Sequence, residues 1–328
     1  MTTKHFDYLD GWRGVAISFV LIGHFFPVPG FDFGPLGVVF FFVLSGLLMA
    51  RLLFITETPL PTFYRRRISR ILPAYLAFIA LVTLATAAGG GEIKLDEVLA
   101  SVFFLKNYVS GQEMPLGHIW SLSVEEHSYI ILSLVALAAR RKRVRPLFGV
   151  GLLTLLCAAC AVAYALSVSN HAMRFKYGLH TEVAGLGIAL SVFLHLALRG
   201  RRIPHATLAI SVLIAIGIAL YWWKTPAGIQ ILGGVTVLAL AVNLLPSASA
   251  GLQRILSVRA LRLLGLWSFS IYLWQQPFYL WASHGVMPKW VALLAALGCS
   301  LVSYYMLEKP ARDYLNQVRF KPRYSVQG

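Results

Sequence analysis

Leu9-Asp10-Gly11-Trp12-Arg13-Gly14-Val15-Ala16-Ile17-Ser18-Phe19-Val20-Leu21-Ile22-Gly23-His24 decides the fold class of this chain. The stretch reads as one largely apolar helix with a cation near its start and an imidazole near its end. Eleven steps of about 100° bring Arg13 and His24 within roughly 20° of one face, about 16 Å apart along the axis. Ionisable side chains inside a membrane helix are costly, and by default they face a polar interior where they have a task. A fixed cation near one membrane surface and a titratable group deep inside predict a membrane-embedded enzyme that takes an anionic donor from one side.

The rest of the chain fits that setting. Mean hydropathy is +0.71, with 58% hydrophobic and 13% charged residues, against roughly 25% charged in a soluble domain. At about 20 apolar residues per crossing, spans are expected over residues 12–28, 34–55, 72–89, 118–139, 147–168, 177–198, 205–223, 226–245, 261–283 and 288–307. The expected architecture is all-α: a polytopic bundle of about ten transmembrane helices. It forms a single domain over residues 1–328, with 308–328 as a basic cytoplasmic tail.

With both termini cytoplasmic, only Lys94, Lys106, Arg174, Lys176, Lys224 and Lys289 of the 29 Lys and Arg fall in outer loops. That asymmetry obeys the positive-inside rule. The net charge of +16 is therefore a topology signal with added attraction for anionic lipids. It does not predict nucleic-acid binding, because no soluble basic domain is present to bind it. Cys157, Cys160 and Cys299 all fall within apolar spans and read as packing residues.

Three further stretches carry candidate chemistry. His118-Ile119-Trp120-Ser121-Leu122-Ser123-Val124-Glu125-Glu126-His127 enters the membrane from outside and places Glu125 at nearly the depth of His24. A glutamate contact would orient the imidazole; alternatively, one carboxylate neutralises an arginine such as Arg13. Glu126 points about 100° away from Glu125, so only one of the two readily faces His24. Ser45-Gly46 is a small pair that allows close helix approach or contact with a narrow ligand. The basic inner loop carries Arg65, Arg66, Arg67 and Arg70. It meets the demand of topology, and its guanidinium forks equally suit the phosphates of a nucleotide-bearing donor.

Taken in order, these stretches resemble the membrane acyltransferase-3 family of bacterial integral-membrane O-acyltransferases. The family's LDGxRG…H context is similar to Leu9-Asp10-Gly11-Trp12-Arg13-Gly14…His24, and its FFxLSG stretch to Phe41-Phe42-Val43-Leu44-Ser45-Gly46. Its RRxxRIxPxY loop resembles Arg66 through Tyr75, and its WSLSxEExxY element resembles Trp120 through Tyr129. Ser270-Ile271-Tyr272-Leu273-Trp274 and Glu308-Lys309-Pro310 resemble its SxYLW and E[KR]P segments. Gln275 departs from the pattern, which often has histidine there, and so do His127-Ser128 and His180-Thr181-Glu182.

The resemblance implies an enzyme of the bacterial inner membrane, multi-pass, that moves an acyl group, usually acetyl from acetyl-CoA, onto a hydroxyl of a saccharide or glycoside. It implies His24 as catalytic base or transient acyl carrier, and the glutamate pair read above supplies Glu125 or Glu126 to orient it. Arg13, Arg65, Arg66, Arg67, Arg70 and Ser45 would lie against the donor, and His118, Trp120 and Tyr129 against the acceptor. No metal is expected; membrane lipids are expected partners, and a homo-oligomer is left open. The competing expectation is a proton-coupled transporter or flippase, against which stands the lack of a detectable two-half repeat.

Overall fold

The computed structural model describes residues 6–109, 115–167, 178–201 and 203–317. Among these residues the only extended pairing is an isolated bridge between Phe31 and Trp222, and every element is a helix. Arg174 and Lys176, expected in an outer loop, and the tail beyond 317 lie outside the described residues.

α1 (Asp7–Phe25) opens with Asp7 and Asp10 in its first turn, where carboxylates oppose the positive end of the helix dipole. It packs between α2 (Phe33–Met49) and a long late helix that follows α3 (Leu60–Ala88), α4 (Leu95–Val102), α5 (Trp120–Arg140), α6 (Pro146–Ser167), α7 (Thr181–Ala197), α8 (Ala206–Leu220), α9 (Val235–Leu244) and α10 (Ala250–Leu256). That late helix is α11 (Arg259–Ser283), and α12 (Lys289–Ser303) runs after it. Trp12 anchors the α1–α2 seam: its ring stacks on Phe40 and its indole N–H donates to the Phe40 carbonyl at 3.1 Å.

Glycine makes the α1–α11 seam. A Cβ at Gly265 would lie 1.9 Å from the Asp10 carbonyl oxygen, and one at Gly14 would lie 2.1 Å from that of Leu261. Small residues let helix backbones meet where lipid supplies no hydrophobic drive between them. Gly265→Ala forces the backbones apart, so an overpacking cost of about 1–3 kcal/mol is expected. Thermal unfolding in detergent checks it, and an unchanged midpoint would show that the seam yields freely.

Among the described residues three π-type turns interrupt the bundle, at Ala50–Ile55, Ile229–Gly234 and Tyr304–Glu308. Such bulges re-aim side chains within an otherwise regular helix. The first directly continues α2 and carries Arg51 toward the interior.

Among the described residues six helices are long and apolar enough to cross a membrane, and up to seven if the bent pair Ala250–Leu256 and Arg259–Ser283 counts as one span. The chain is thus a multi-pass helical membrane protein, but the expected count of ten is not confirmed. Thr181–Ala197 and Ala206–Leu220 are apolar but shorter than a full crossing. α1 has 19 residues, and Asp7, Asp10, Arg13 and His24 dilute its apolar character. α3 departs in the other direction. Its 29 residues extend about 43 Å, beyond the roughly 30 Å hydrocarbon core, so the turns bearing Tyr64 through Arg70 continue the helix that sequence patterning began only at residue 72. The chain after Glu308 also stays helical, over Lys309–Gln317.

Candidate active site

α1, α2, α3, α5 and α11 line an open cavity of about 520 Å³. Its wall carries Arg13 and Asp10 from α1, Ser45 from α2, and Arg51 from the π turn. α3 contributes Arg66, Arg67 and Arg70, α5 contributes Ser121, Glu125 and Tyr129, and α11 contributes Tyr272. Five guanidinium groups thus face two carboxylates across one cavity, which suits a polyanion.

One guanidinium organises the inner part of this wall. Arg67 Nε donates to Glu126 Oε1 at 2.8 Å, and its Nη2 lies 3.4 Å from Glu125 Oε2. The same group lies over the Tyr129 ring, 3.5 Å from its centroid. Ser45 Oγ donates to the other oxygen of Glu125 at 2.7 Å. Arg13 pairs with Asp10 one turn away, at 3.4 Å.

His24 stands elsewhere. It is not a wall residue of the cavity. Its Nδ1 lies 2.5 Å from Gln275 Oε1, and its ring stacks on Tyr279 with centroids 4.5 Å apart. The expectation that Glu125 or Glu126 orients His24 is therefore corrected. Matching depth does not bring two side chains together. The inward face of α5 meets α2 through Ser45 and α11 through Ser121 and Tyr272, whose hydroxyls lie 2.7 Å apart. Both carboxylates turn to the permanent charge of Arg67, so the alternative that a carboxylate neutralises an arginine holds, with Arg67 in the place expected for Arg13.

Arg13, Ser45, Arg66, Arg67, Arg70, Glu125 and Tyr129 are brought to a single cavity, whereas Arg65, Glu126, His118 and Trp120 are not on its wall. His118 is 6% exposed, with its ring against those of Phe78 and Tyr272. Trp120 packs edge-on to Phe42. Tyr129, expected beside the acceptor, lines the cavity with its ring beneath Arg67. The two late segments join: Ser270 Oγ donates to Glu308 Oε2 at 2.8 Å, with Glu308 wholly buried. Among the described residues no group of three or more His, Cys, Asp or Glu is placed to hold a metal ion.

Two residues of the site carried little weight in the sequence. Gln275 looked only like a departure from a pattern. Arg51 sat unremarked as the single cation in the apolar run 34–55, although a lone intramembrane cation is itself a signal.

Comparisons with known proteins fit this geometry. The acyltransferase-3 family model, an acyltransferase domain, matches residues 6–308. Among curated proteins the chain is similar to the O-acetyltransferase OatA of Staphylococcus aureus, at 27% identity over 94% of this chain and 57% of OatA. It is 28% identical to BcsY of Komagataeibacter xylinus, described provisionally as a membrane-bound transacylase, over 94% of this chain and 83% of BcsY. It is also 28% identical to YrhL of Bacillus subtilis, described provisionally as a peptidoglycan O-acetyltransferase, over 94% of this chain and 56% of YrhL. The chain thus spans little more than half the length of OatA and of YrhL. No solved structure matches. With the family model running from the first described helix to the buried glutamate that closes the late segments, the chain belongs to the acyltransferase-3 family.

Proposed function

We propose that this protein is an inner-membrane O-acyltransferase that moves an acyl group, acetyl in the first instance, from acyl-CoA to a hydroxyl of a cell-surface or exported saccharide. The observation that carries the reading is the arginine-walled cavity shared by α1 and α3, with His24 three turns further along α1 from Arg13. O-acetyltransferases among the relatives support acetyl as the group, and the peptidoglycan named for YrhL supports a saccharide acceptor. The positive-inside asymmetry supports a cytoplasmic position for the arginine turns of α3 and for both termini, on the side where acyl-CoA is available.

In this reading the donor's phosphates lie among Arg13, Arg66 and Arg70, with Arg67 shared between them and its own carboxylates. Guanidinium forks hold phosphate oxygens two at a time. The thioester arm extends toward Ser45, Ser121 and Tyr272 at the head of the cavity. The acceptor hydroxyl gives its proton to His24, its oxygen attacks the thioester carbonyl, and the carbon–sulfur bond breaks. The leaving thiolate takes up a proton, so the histidine returns to its neutral form. A donor anchored by its phosphates and reacting at the far end of a long arm explains why cation and imidazole lie about 16 Å apart.

Arg51 extends the donor site beyond the arginine loop. It lies over the Phe6 ring, 4.2 Å from the centroid, on the same wall as Arg13. Arg51→Ala is expected to raise the KM for acetyl-CoA about tenfold with kcat nearly unchanged, as for a lost charged hydrogen bond of about 1.5 kcal/mol. Steady-state kinetics on the purified protein decides this; an unchanged KM removes Arg51 from the donor site.

Purified protein in liposomes given radiolabelled acetyl-CoA tests the whole reading. Transfer of label to a saccharide hydroxyl supports it. Absence of coenzyme binding overturns it.

A further inference from the structure

Gln275 is wholly buried on α11 and faces His24 across the α1–α11 seam. Its two amide atoms are not interchangeable. The amide nitrogen lies 3.5 Å from the Tyr272 carbonyl oxygen and 3.4 Å from Gln276 Oε1. A backbone carbonyl can only accept, so the NH2 must point there and the amide oxygen must point at His24. An oxygen 2.5 Å from Nδ1 requires Nδ1 to carry the proton. Neutral His24 is then the Nδ1–H tautomer, with its lone pair on Nε2.

The rest of the ring environment aims that lone pair. Stacking on Tyr279 at an interplanar angle of 19° fixes the ring plane, and the Nδ1 bond fixes rotation within it. The Nε2 edge then faces Gly34 near the start of α2, where a Cβ would lie 3.5 Å from Nε2 and meet no other heavy atom besides the His24 ring within 4 Å. Glycine leaves that edge clear.

We propose that Gln275 is the positioning residue of the reaction: it holds His24 as the Nδ1–H tautomer and presents Nε2, across the clear edge left by Gly34, to the acceptor hydroxyl. This rests on the reading of His24 as the base. The same device, a second group bonded to the far nitrogen of an imidazole, sets the tautomer wherever histidine acts as base or ligand. Here a neutral amide does it rather than a carboxylate. The imidazole is thereby oriented without a second buried charge, which would be costly at this depth.

Two measurements test it together. The first is the ¹⁵N spectrum of protein labelled at its nine histidines, with His24→Ala identifying the His24 signals. A protonated Nδ1 and a bare Nε2 are expected; a protonated Nε2 in neutral His24 overturns the proposal. The second is kinetics of Gln275→Leu, Gln275→Glu and Gly34→Ala beside His24→Ala. Leucine cannot accept from Nδ1, so kcat is expected to fall about 10²-fold at unchanged acetyl-CoA KM. Glutamate can accept, so its variant is expected to keep kcat within about tenfold of the parent, a rescue that mere packing would not produce. Gly34→Ala adds a methyl at ordinary contact distance and is expected to raise the acceptor KM while leaving the fold intact. If His24→Ala is inactive while Gln275→Leu turns over normally, the positioning role fails and the base assignment stands. If His24→Ala is itself fully active, the base assignment falls, and the role of Gln275 with it.

Discussion

His24→Ala is expected to lower acyl turnover by about 10²–10⁴-fold, the usual contribution of a positioned general base. Affinity for acetyl-CoA should stay within about twofold, because truncating a side chain outside the binding wall leaves uniform binding intact. The split follows from where the residue stands. His24 is not on the wall of the arginine-lined cavity, and its contacts are Gln275 and Tyr279. On the proposed reading, removing the imidazole leaves the donor's charged contacts in place while removing the proton acceptor. Arg13→Ala should show the opposite split, with a raised donor KM. Turnover of radiolabelled acetyl-CoA, paired with calorimetric binding to each variant, reads both quantities. Loss of coenzyme binding in His24→Ala would move His24 into the donor site and leave the base unassigned.

Arg67→Ala is expected to be the most destabilising single change in the site, at about 3–5 kcal/mol, the cost of leaving buried charge unpaired. Two carboxylates depend on this one guanidinium, at 2.8 and 3.4 Å, and both are largely buried, with side chains 21% and 15% exposed. Truncation also uncovers the face of Tyr129. Arg67→Lys should recover only part of the loss. An ammonium cannot bridge two carboxylates in the fork geometry or lie flat on a ring. Thermal unfolding in detergent gives the order parent, lysine variant, alanine variant. An alanine variant as stable as the parent would mean that Glu125 and Glu126 do not need the pairing. Arg67 would then belong wholly to the donor.

These two residues show how far local pattern reaches. The spacing of Arg13 and His24 on one face is legible, because helical periodicity is a property of neighbouring residues and needs no partner. So is the grouping of Arg66, Arg67 and Arg70, which follow one another on α3 and line one cavity. What local pattern misses is the choice between partners at equal depth. Glu125 and His24 were matched by distance along their helices, but distance along an axis leaves the angular position of each helix in the bundle unset. That position comes from close approaches such as Gly265 against the Asp10 carbonyl, which depend on the full three-dimensional packing.

From composition, periodicity and charge asymmetry alone, the chain could be read as a multi-pass helical membrane protein with its cations gathered on one side. The order of its motifs marked an acyltransferase. Each of these is carried by residues close in the chain or by sums over it. Only tertiary structure decided that Gln275, 251 positions away, bonds His24, that Arg67 holds both glutamates, that Arg51 lines the same cavity as Arg13, and that Ser270 meets Glu308. Among the described residues, the helix bounds it sets leave six or seven helices long and apolar enough to cross a membrane. The physical reason is common to all of them. A buried polar group must find a partner within about 3 Å, and which of several suitable partners comes that close is set by how the helices pack.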